Sequence, residues 1–148
     1  MRVLNIVGPR TLRHELEAKA ERHPNKAWLI FEARDGATQH VTYGDFARRA
    51  CQAAAVLTEL GVRPGDKITL HLNNCPEFLE LWFGAALCGA VIVPVNTLSS
   101  LDELEYLVNH SESKVFVTEP ALLPIVEVLL PRCPNVRQCG LHDVEQIT

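Results

Sequence analysis

From Lys67 onward, short apolar runs alternate with helical patterns about three turns long, and that alternation leaves few folds open to the chain. Lys67 to Leu72 reads as a strand and Pro76 to Cys88 as a helix with Pro at its first position. Ala90 to Val95 is a second strand with almost no polar residue, and it is expected to be buried on both faces. Leu101 to Asn109 follows as an amphipathic helix capped by Ser99 or Ser100, with Asp102 and Glu103 in its first turn. Lys114 to Thr118 is a third strand, and Ala121 to Leu130 and Asn135 to Cys139 give another helix and strand. Strands joined through helices need crossover connections, which keep neighbours parallel. The expected class is α/β, a mostly parallel sheet between helix layers.

The amino-terminal third follows a different rule. Thr11 to Arg22 predicts a helix capped by Thr11, with Leu12, Leu16 and Ala20 as its apolar stripe and Glu15 four residues ahead of Lys19. It ends at His23-Pro24. Trp28 to Glu32 and Thr38 to Val41 predict two strands joined by a turn at Asp35-Gly36, a short antiparallel hairpin ahead of the sheet. Thr42 to Leu60 then predicts the longest helix. Thr42 and Asp45 stand three apart at its start, Phe46, Ala50, Ala53, Leu57 and Leu60 share a face, and Gly61 supplies a left-handed stop. Tyr43 and Phe46 are expected to be a buried anchor. Adjacent Arg48 and Arg49 are expected on a solvated helix face.

Composition excludes several classes. A chain of 148 residues with 47% hydrophobic and 22% charged residues fits one globular domain, residues 1–148, able to bury roughly 70% of its unfolded surface. Net charge is −4, and no block of like charge exceeds two residues, so no nucleic-acid partner is expected. The run from Leu81 to Val95 is broken by Gly84, Gly89 and Pro94 and falls short of the roughly 20 residues of a membrane span. Val3 to Val7, interrupted by Asn5, is too short for a signal-peptide core. Cys51, Cys75, Cys88, Cys133 and Cys139 form no CxxC pair and suit reduced thiols in the cytoplasm, with Cys51 and Cys88 acting as small hydrophobes among alanines. Cys133, Cys139 and His142 offer three metal-type ligands without a fourth, so no metal site is expected.

In a parallel α/β sheet, ligands lie beyond the carboxyl ends of the strands. The loops there are Asn73 to Cys75, Asn96 to Ser100 and Glu119 to Pro120. Asn73, Asn74, Asn96, Thr97, Ser99 and Ser100 could contact a ligand, yet the same residue types cap helices and make turns. The segment from Gly61 to Lys67, GVRPGDK, has the wrong order for a phosphate loop, since it follows a helix and precedes a strand. His14, His23, His40, His71, His110 and His142 fall on separate elements, and His71 with Cys75 has no fixed geometry for a nucleophile pair. No GxSxG occurs. No catalytic, cofactor-binding or metal residue is assigned.

Two segments carry a family resemblance. VTYGDF at Val41 to Phe46, and HLNNCPEFLELWFGA leading into LCGAVIVPVN at Leu87 to Asn96, resemble the first two core motifs of the ATP-dependent acyl-CoA synthetases, the AMP-binding, adenylate-forming superfamily. The look is most similar to the carnitine and crotonobetaine CoA ligase branch. The resemblance covers nearly the whole chain and implies the amino-terminal subdomain of a larger enzyme. It implies a two-step reaction in which a carboxylate and ATP give an acyl-adenylate and CoA then forms the thioester, with magnesium offsetting phosphate charge. ATP, magnesium and CoA are thus implied for a full-length parent, and no cofactor for this part of it. The family's Ser/Thr/Gly-rich Pro-Lys-Gly loop, its later acidic and arginine motifs and its carboxyl-terminal lysine have no counterpart here. Tyr43 and Asn96 lie in motifs that read as scaffold, so no role is carried over to them.

Two functions follow as expectations. One is the amino-terminal part of an acyl-CoA ligase, inactive alone, with the remaining lobes and a small carboxylate as the parent's partners and self-association through an uncovered apolar face. The other is a free-standing α/β binding or interaction module without catalysis.

Overall fold

The structure, a computed structural model, describes residues 10–141. Helix α1 (Leu12–Arg22) begins where Thr11 accepts a hydrogen bond from the His14 N–H. Of its apolar stripe only Leu16 is buried, while Leu12 is exposed. Arg13 donates to the Leu87 carbonyl, which ties α1 to a helix far along the chain. Strands β1 (Ala27–Glu32) and β2 (Thr38–Thr42) pair antiparallel. Gly36 closes their turn with φ 84°, a left-handed conformation that suits glycine, and donates to the Ala33 carbonyl at 2.9 Å.

Helix α2 (Tyr43–Glu59) starts as its cap residues dictate. Thr42 Oγ1 accepts from the Asp45 N–H at 3.1 Å and donates to the Asp45 carboxylate at 2.9 Å. Phe46, Ala50 and Leu57 are buried, and Gly61 follows the helix with φ 81°. Tyr43 is only half-buried, so the expected Tyr-Phe anchor is Phe46 alone. The solvated reading of Arg48-Arg49 also needs correction. Arg48 is exposed and pairs with Asp45, but Arg49 turns inward to Glu80, 3.1 Å away, and Glu80 is 3% exposed. Residues one apart on a helix point about 100° apart, and the second helix lies on one side only. Cys51 is exposed and not a core thiol, for the same reason.

The remaining elements alternate. Strand β3 (Lys67–His71) leads to α3 (Pro76–Leu87), β4 (Val91–Pro94), α4 (Leu101–Ser111), β5 (Val115–Thr118), α5 (Leu123–Leu129) and β6 (Gln138–Leu141). The four strands form a parallel sheet in the order β4-β3-β5-β6. Helices α2 and α3 cover one face through Leu57 and Ala85 against Ile68, Leu70, Val115 and Val117. Leu104, Val108, Val126 and Leu129 of α4 and α5 cover the other around Phe116. A third apolar cluster joins α1, the hairpin, α2 and α3, with Trp28, Phe46 and Phe83 in ring contact.

Several boundaries and environments differ from expectation. Strand β4 is not buried on both faces. It is one edge of the sheet, and Val91 is half exposed. At an edge the helix layers cover a strand only in part, so a near-continuous apolar run does not by itself ensure burial. The helix expected over Ala121 to Leu130 is divided, with 3-10 turns at Pro120–Leu122 and Leu130–Arg132 around the short α5. Pro124 and Pro131 each lack the N–H that a continuous helix would use. The last strand lies at Gln138–Leu141 rather than Asn135 to Cys139, because a turn closed by the Val136 N–H on the Cys133 carbonyl takes up residues 133–136. The reading of residues 3–7 lies outside the described residues.

The start of α4 resolves the choice of cap. Ser100 accepts from the Glu103 N–H, and the Glu103 carboxylate accepts from the Ser100 N–H at 2.8 Å, a reciprocal capping box. Ser100→Ala is expected to lower unfolding stability by about 1 kcal/mol, read as an earlier urea midpoint with an unchanged slope. No change in midpoint would mean that packing alone fixes this end.

Candidate functional site

In the strand order β4-β3-β5-β6, the chain goes from β3 to one side and then crosses back to the other, so the topological switch lies beyond the carboxyl ends of β3 and β5. The loops that meet there are held by a small polar network. The Glu119 carboxylate accepts from the Asn73 backbone N–H at 3.0 Å and from the Asn73 side-chain amide. Asn73 Oδ1 in turn accepts from Thr97 Oγ1 at 3.3 Å. One side chain therefore ties the ends of three strands together. Asn96 accepts from the Leu98 N–H, a local turn bond.

Beside this network a cleft of about 670 Å³ opens between the sheet and the hairpin. Its polar wall includes Asn73, Asn74, Asn96 and Thr97, with Glu32 and Arg34 from the hairpin, and its apolar wall includes Phe31 and Phe78. Four of the six polar loop residues read from the sequence thus share one cleft. Ser100 is absent from its wall because it caps α4. The hairpin residues Phe31, Glu32 and Arg34 were not singled out by sequence reasoning. Nothing in a local pattern reveals that a hairpin some forty residues upstream folds over the ends of β3 and β4.

His71 lies just behind the switch point and is fully buried. Its Nδ1 is 3.4 Å from Thr118 Oγ1, and Nε2 has no hydrogen-bond partner. Burial pushes its pKa below the ordinary 6.5, while the Glu119 charge and the Thr97 backbone pull the other way. Above 6.5 the imidazole is neutral folded and unfolded; below it the unfolded chain takes up a proton that the folded chain resists, so stability falls. His71→Leu is expected to flatten the decline in urea midpoint just below pH 6.5, and an unaltered decline would exclude His71 as its source.

The His71 and Cys75 pair does not form. Cys75 occupies the cap position of α3, where burial pushes its thiol up to about 12, so it is a poor nucleophile. His71 instead faces Thr118. The sequence GVRPGDK lies between α2 and β3, at the amino end of the sheet and away from the switch point. There Arg63 N–H donates to Asp66 and Gly65 N–H to the Gly89 carbonyl, so its donors serve a turn. Cys133 is buried under α4 and α5, Cys139 is exposed on β6, and His142 lies outside the described residues. Among the described residues no group of three His, Cys, Asp or Glu is placed to hold a metal ion. No helix among them is long and apolar enough to cross a membrane.

The strand order and the cleft define the class, a parallel α/β lobe whose carboxyl-end cleft is lined by amides and a hydroxyl together with Glu32 and Arg34. The chain belongs to the AMP-binding enzyme family, whose model matches residues 16–147. It is similar to the crotonobetaine/carnitine–CoA ligase of Salmonella arizonae, with 36% identity over 122 residues, covering 82% of this chain and 24% of the relative. The corresponding ligase of Proteus mirabilis is 34% identical over 127 residues, 86% of this chain and 24% of the relative. The chain therefore spans about a quarter of the length of these relatives. Among solved structures it resembles a Mycobacterium tuberculosis fatty acyl CoA synthetase, with TM-score 0.77, 29% identity and coverage of 86% of this chain and 26% of that one. It also resembles the anthranilate CoA ligase AuaEII in complex with anthranoyl-AMP, with TM-score 0.77, 26% identity and coverage of 86% and 24%.

Proposed function

We propose that this chain is the amino-terminal subdomain, residues 1–148, of an ATP-dependent acyl-CoA ligase, and that it does not catalyse the ligation by itself. The observation that carries this reading is the family match over residues 16–147 in a chain that spans only 24% of its ligase relatives. The parent's carboxylate substrate, ATP, magnesium and CoA are part of the same proposal, as are a cytoplasmic location and packing against the remaining lobes.

The described residues do not fit the triphosphate. Glu119 lies at the switch point, Glu77 sits in the first turn of α3, and the Cys75 cap makes no side-chain hydrogen bond there. Acidic groups at a helix start repel an anion that the helix dipole would otherwise attract. What these residues can do is bind and orient. The Asn73, Asn74, Asn96 and Thr97 groups offer neutral donors and acceptors, and Phe31 and Phe78 offer apolar surface. The lobe's contribution is a rigid wall, fixed by the Glu119 network, against which the parent's other lobes close.

Carboxylate-dependent exchange of labelled pyrophosphate into ATP tests this reading. The full-length protein is expected to show exchange with one of a panel of carboxylates that includes crotonobetaine, carnitine and fatty acids, and the 148-residue chain to show none. Exchange by the short chain, or a mass of about 16.5 kDa for the protein from its native source, would refute the proposal. The latter result would favour the free-standing module. The chain alone is also expected to self-associate through an uncovered face.

A further inference from the structure

The two edges of the parallel sheet differ in what they leave open. In β4 the register with β3, together with the bonds from the Val91 N–H to Asp66 and the Val95 N–H to Leu70, turns the odd-numbered residues inward. The outward positions are then Ile92 and Pro94. Proline has no N–H, so this edge can donate only once, and a proline on an edge blocks strand addition. In β6 the register with β5 and the bond from the Arg137 N–H to Lys114 turn residues 137, 139 and 141 inward. The outward positions are Gln138 and Gly140, and both have an N–H and a carbonyl. Among the described residues nothing pairs with them.

Beside this open edge the helix layer also stops short. Val56, Leu60 and Leu141 wall a mostly apolar groove above Gly140, whose lining also includes Glu77 and Glu80, and Val56 and Leu141 are each about half exposed. Gly140 contributes no side chain to fill it. Strand β6 itself carries no charged residue, with the sequence Gln-Cys-Gly-Leu. Of the usual devices against edge pairing, namely a charge, a proline or a bulge, β4 carries the proline and β6 carries none.

We infer that the β6 edge is an interaction surface, and that in the isolated chain its partner is the β6 edge of a second copy, paired antiparallel about Cys139. The inference rests on the reading that the chain alone carries an uncovered face, and it specifies which face. Two outward residues flank one inward residue, so the arrangement is self-complementary across a twofold axis. Gln138 of one copy meets Gly140 of the other, and the two exchange both backbone hydrogen bonds; the symmetric pair does the same, and the two sheets become one. Cys139 then faces Cys139 in a non-hydrogen-bonded position, where Cα atoms stand about 4.5 Å apart. That spacing falls within the reach of a disulfide. No residue of Gln138–Leu141 is charged, so the paired strands themselves set no like charges opposite each other.

The test uses the 148-residue chain under reducing and oxidising conditions. Sedimentation equilibrium of the reduced chain is expected to show twice the 16.5 kDa chain mass. Treatment with diamide is expected to join the copies at Cys139, two thiols giving one disulfide while their two electrons and two protons reduce diamide to the hydrazine. Peptide mapping identifies the linked residue and separates it from the exposed Cys51. Cys139→Ser should keep the noncovalent dimer and lose the cross-link. Cys139→Lys, at an exposed position, should set two ammonium groups face to face and give the single-chain mass with an unchanged circular dichroism spectrum. Gln138→Pro should do the same by removing an outward donor. A reduced wild type of single-chain mass, or a dimer that persists in both Cys139→Lys and Gln138→Pro, would overturn the inference. Pyrophosphate exchange by the full-length protein is a separate readout, so failure here and failure of the ligase reading are distinct.

Discussion

Phe46→Ala is expected to cost the fold about 3–5 kcal/mol. Phe46 is completely buried, and its ring stacks on Trp28 with centroids 3.7 Å apart while Phe83 meets it edge-on at 5.0 Å. The three rings come from the hairpin, α2 and α3, so the truncation leaves a cavity where three elements meet. An aromatic pair is worth about 0.5–1.5 kcal/mol beyond the area it buries, which places this site toward the upper end of the range. A domain of this size has a total stability of about 5–15 kcal/mol, so the loss is a large fraction of the whole. Urea unfolding followed by tryptophan fluorescence measures it directly. A shift in midpoint equivalent to less than about 1 kcal/mol would show that the hairpin and α3 do not depend on the ring. The VTYGDF segment would then need an explanation other than scaffold, since Thr42, Asp45 and Phe46 otherwise account for it as a cap and an anchor.

The second large effect is expected at Gly84, where two opposing terms can be weighed. Alanine in a helix interior is favoured over glycine by about 1 kcal/mol. Against this, a Cβ at position 84 would lie 2.8 Å from Ala53 Cβ, 2.9 Å from the Ala54 nitrogen and 3.1 Å from the Ala50 carbonyl oxygen. Two of those three atoms belong to the α2 backbone, which cannot swing aside as a flexible side chain can. The helices must separate, and separation also stretches the Arg49–Glu80 ion pair that joins them. Overpacking of this kind costs about 1–3 kcal/mol, which exceeds the propensity gain. Gly84→Ala is therefore expected to destabilise, and Gly84→Val to do so more strongly. Thermal melts of both variants decide the matter: a rise in midpoint for Gly84→Ala would mean that the helix contact is looser than the distances imply.

These two sites show where local reasoning works. Phe46 could be placed in the core from the spacing Phe46, Ala50, Leu57 on one helical face, and the Thr42 cap from its position three residues before Asp45. The hairpin glycine Gly36, the helix stop at Gly61 and the proline at the start of α3 were legible for the same reason, and the α4 cap was narrowed to Ser99 or Ser100, because each depends on atoms within one turn of the chain. Gly84 was visible only as an interruption of an apolar run. Its function as a close contact between α2 and α3 depends on Ala50, Ala53 and Ala54, some thirty residues away. Arg49 is a similar case. Its neighbour Arg48 has the same charge and local setting, and only the position of Glu80 separates an exposed cation from a half-buried one.

The candidate site divides along the same line. That Asn73, Asn74, Asn96 and Thr97 lie beyond strand ends follows from the alternation of elements. That Glu119 and Asn73 clasp these ends together, and that the hairpin closes one side of the cleft, follows from the strand order.

The order and type of the main elements, the Thr11 and Thr42 caps and the parallel α/β class could be read from the chain, because period, capping and turn chemistry act over a few residues and compete with little else. That β4 and β6 are edges, which arginine turns inward and which loops share a cleft emerged only from the folded packing. Those facts depend on contacts between segments far apart in sequence, and a crossover helix can carry the next strand to either side of its predecessor without changing any local pattern.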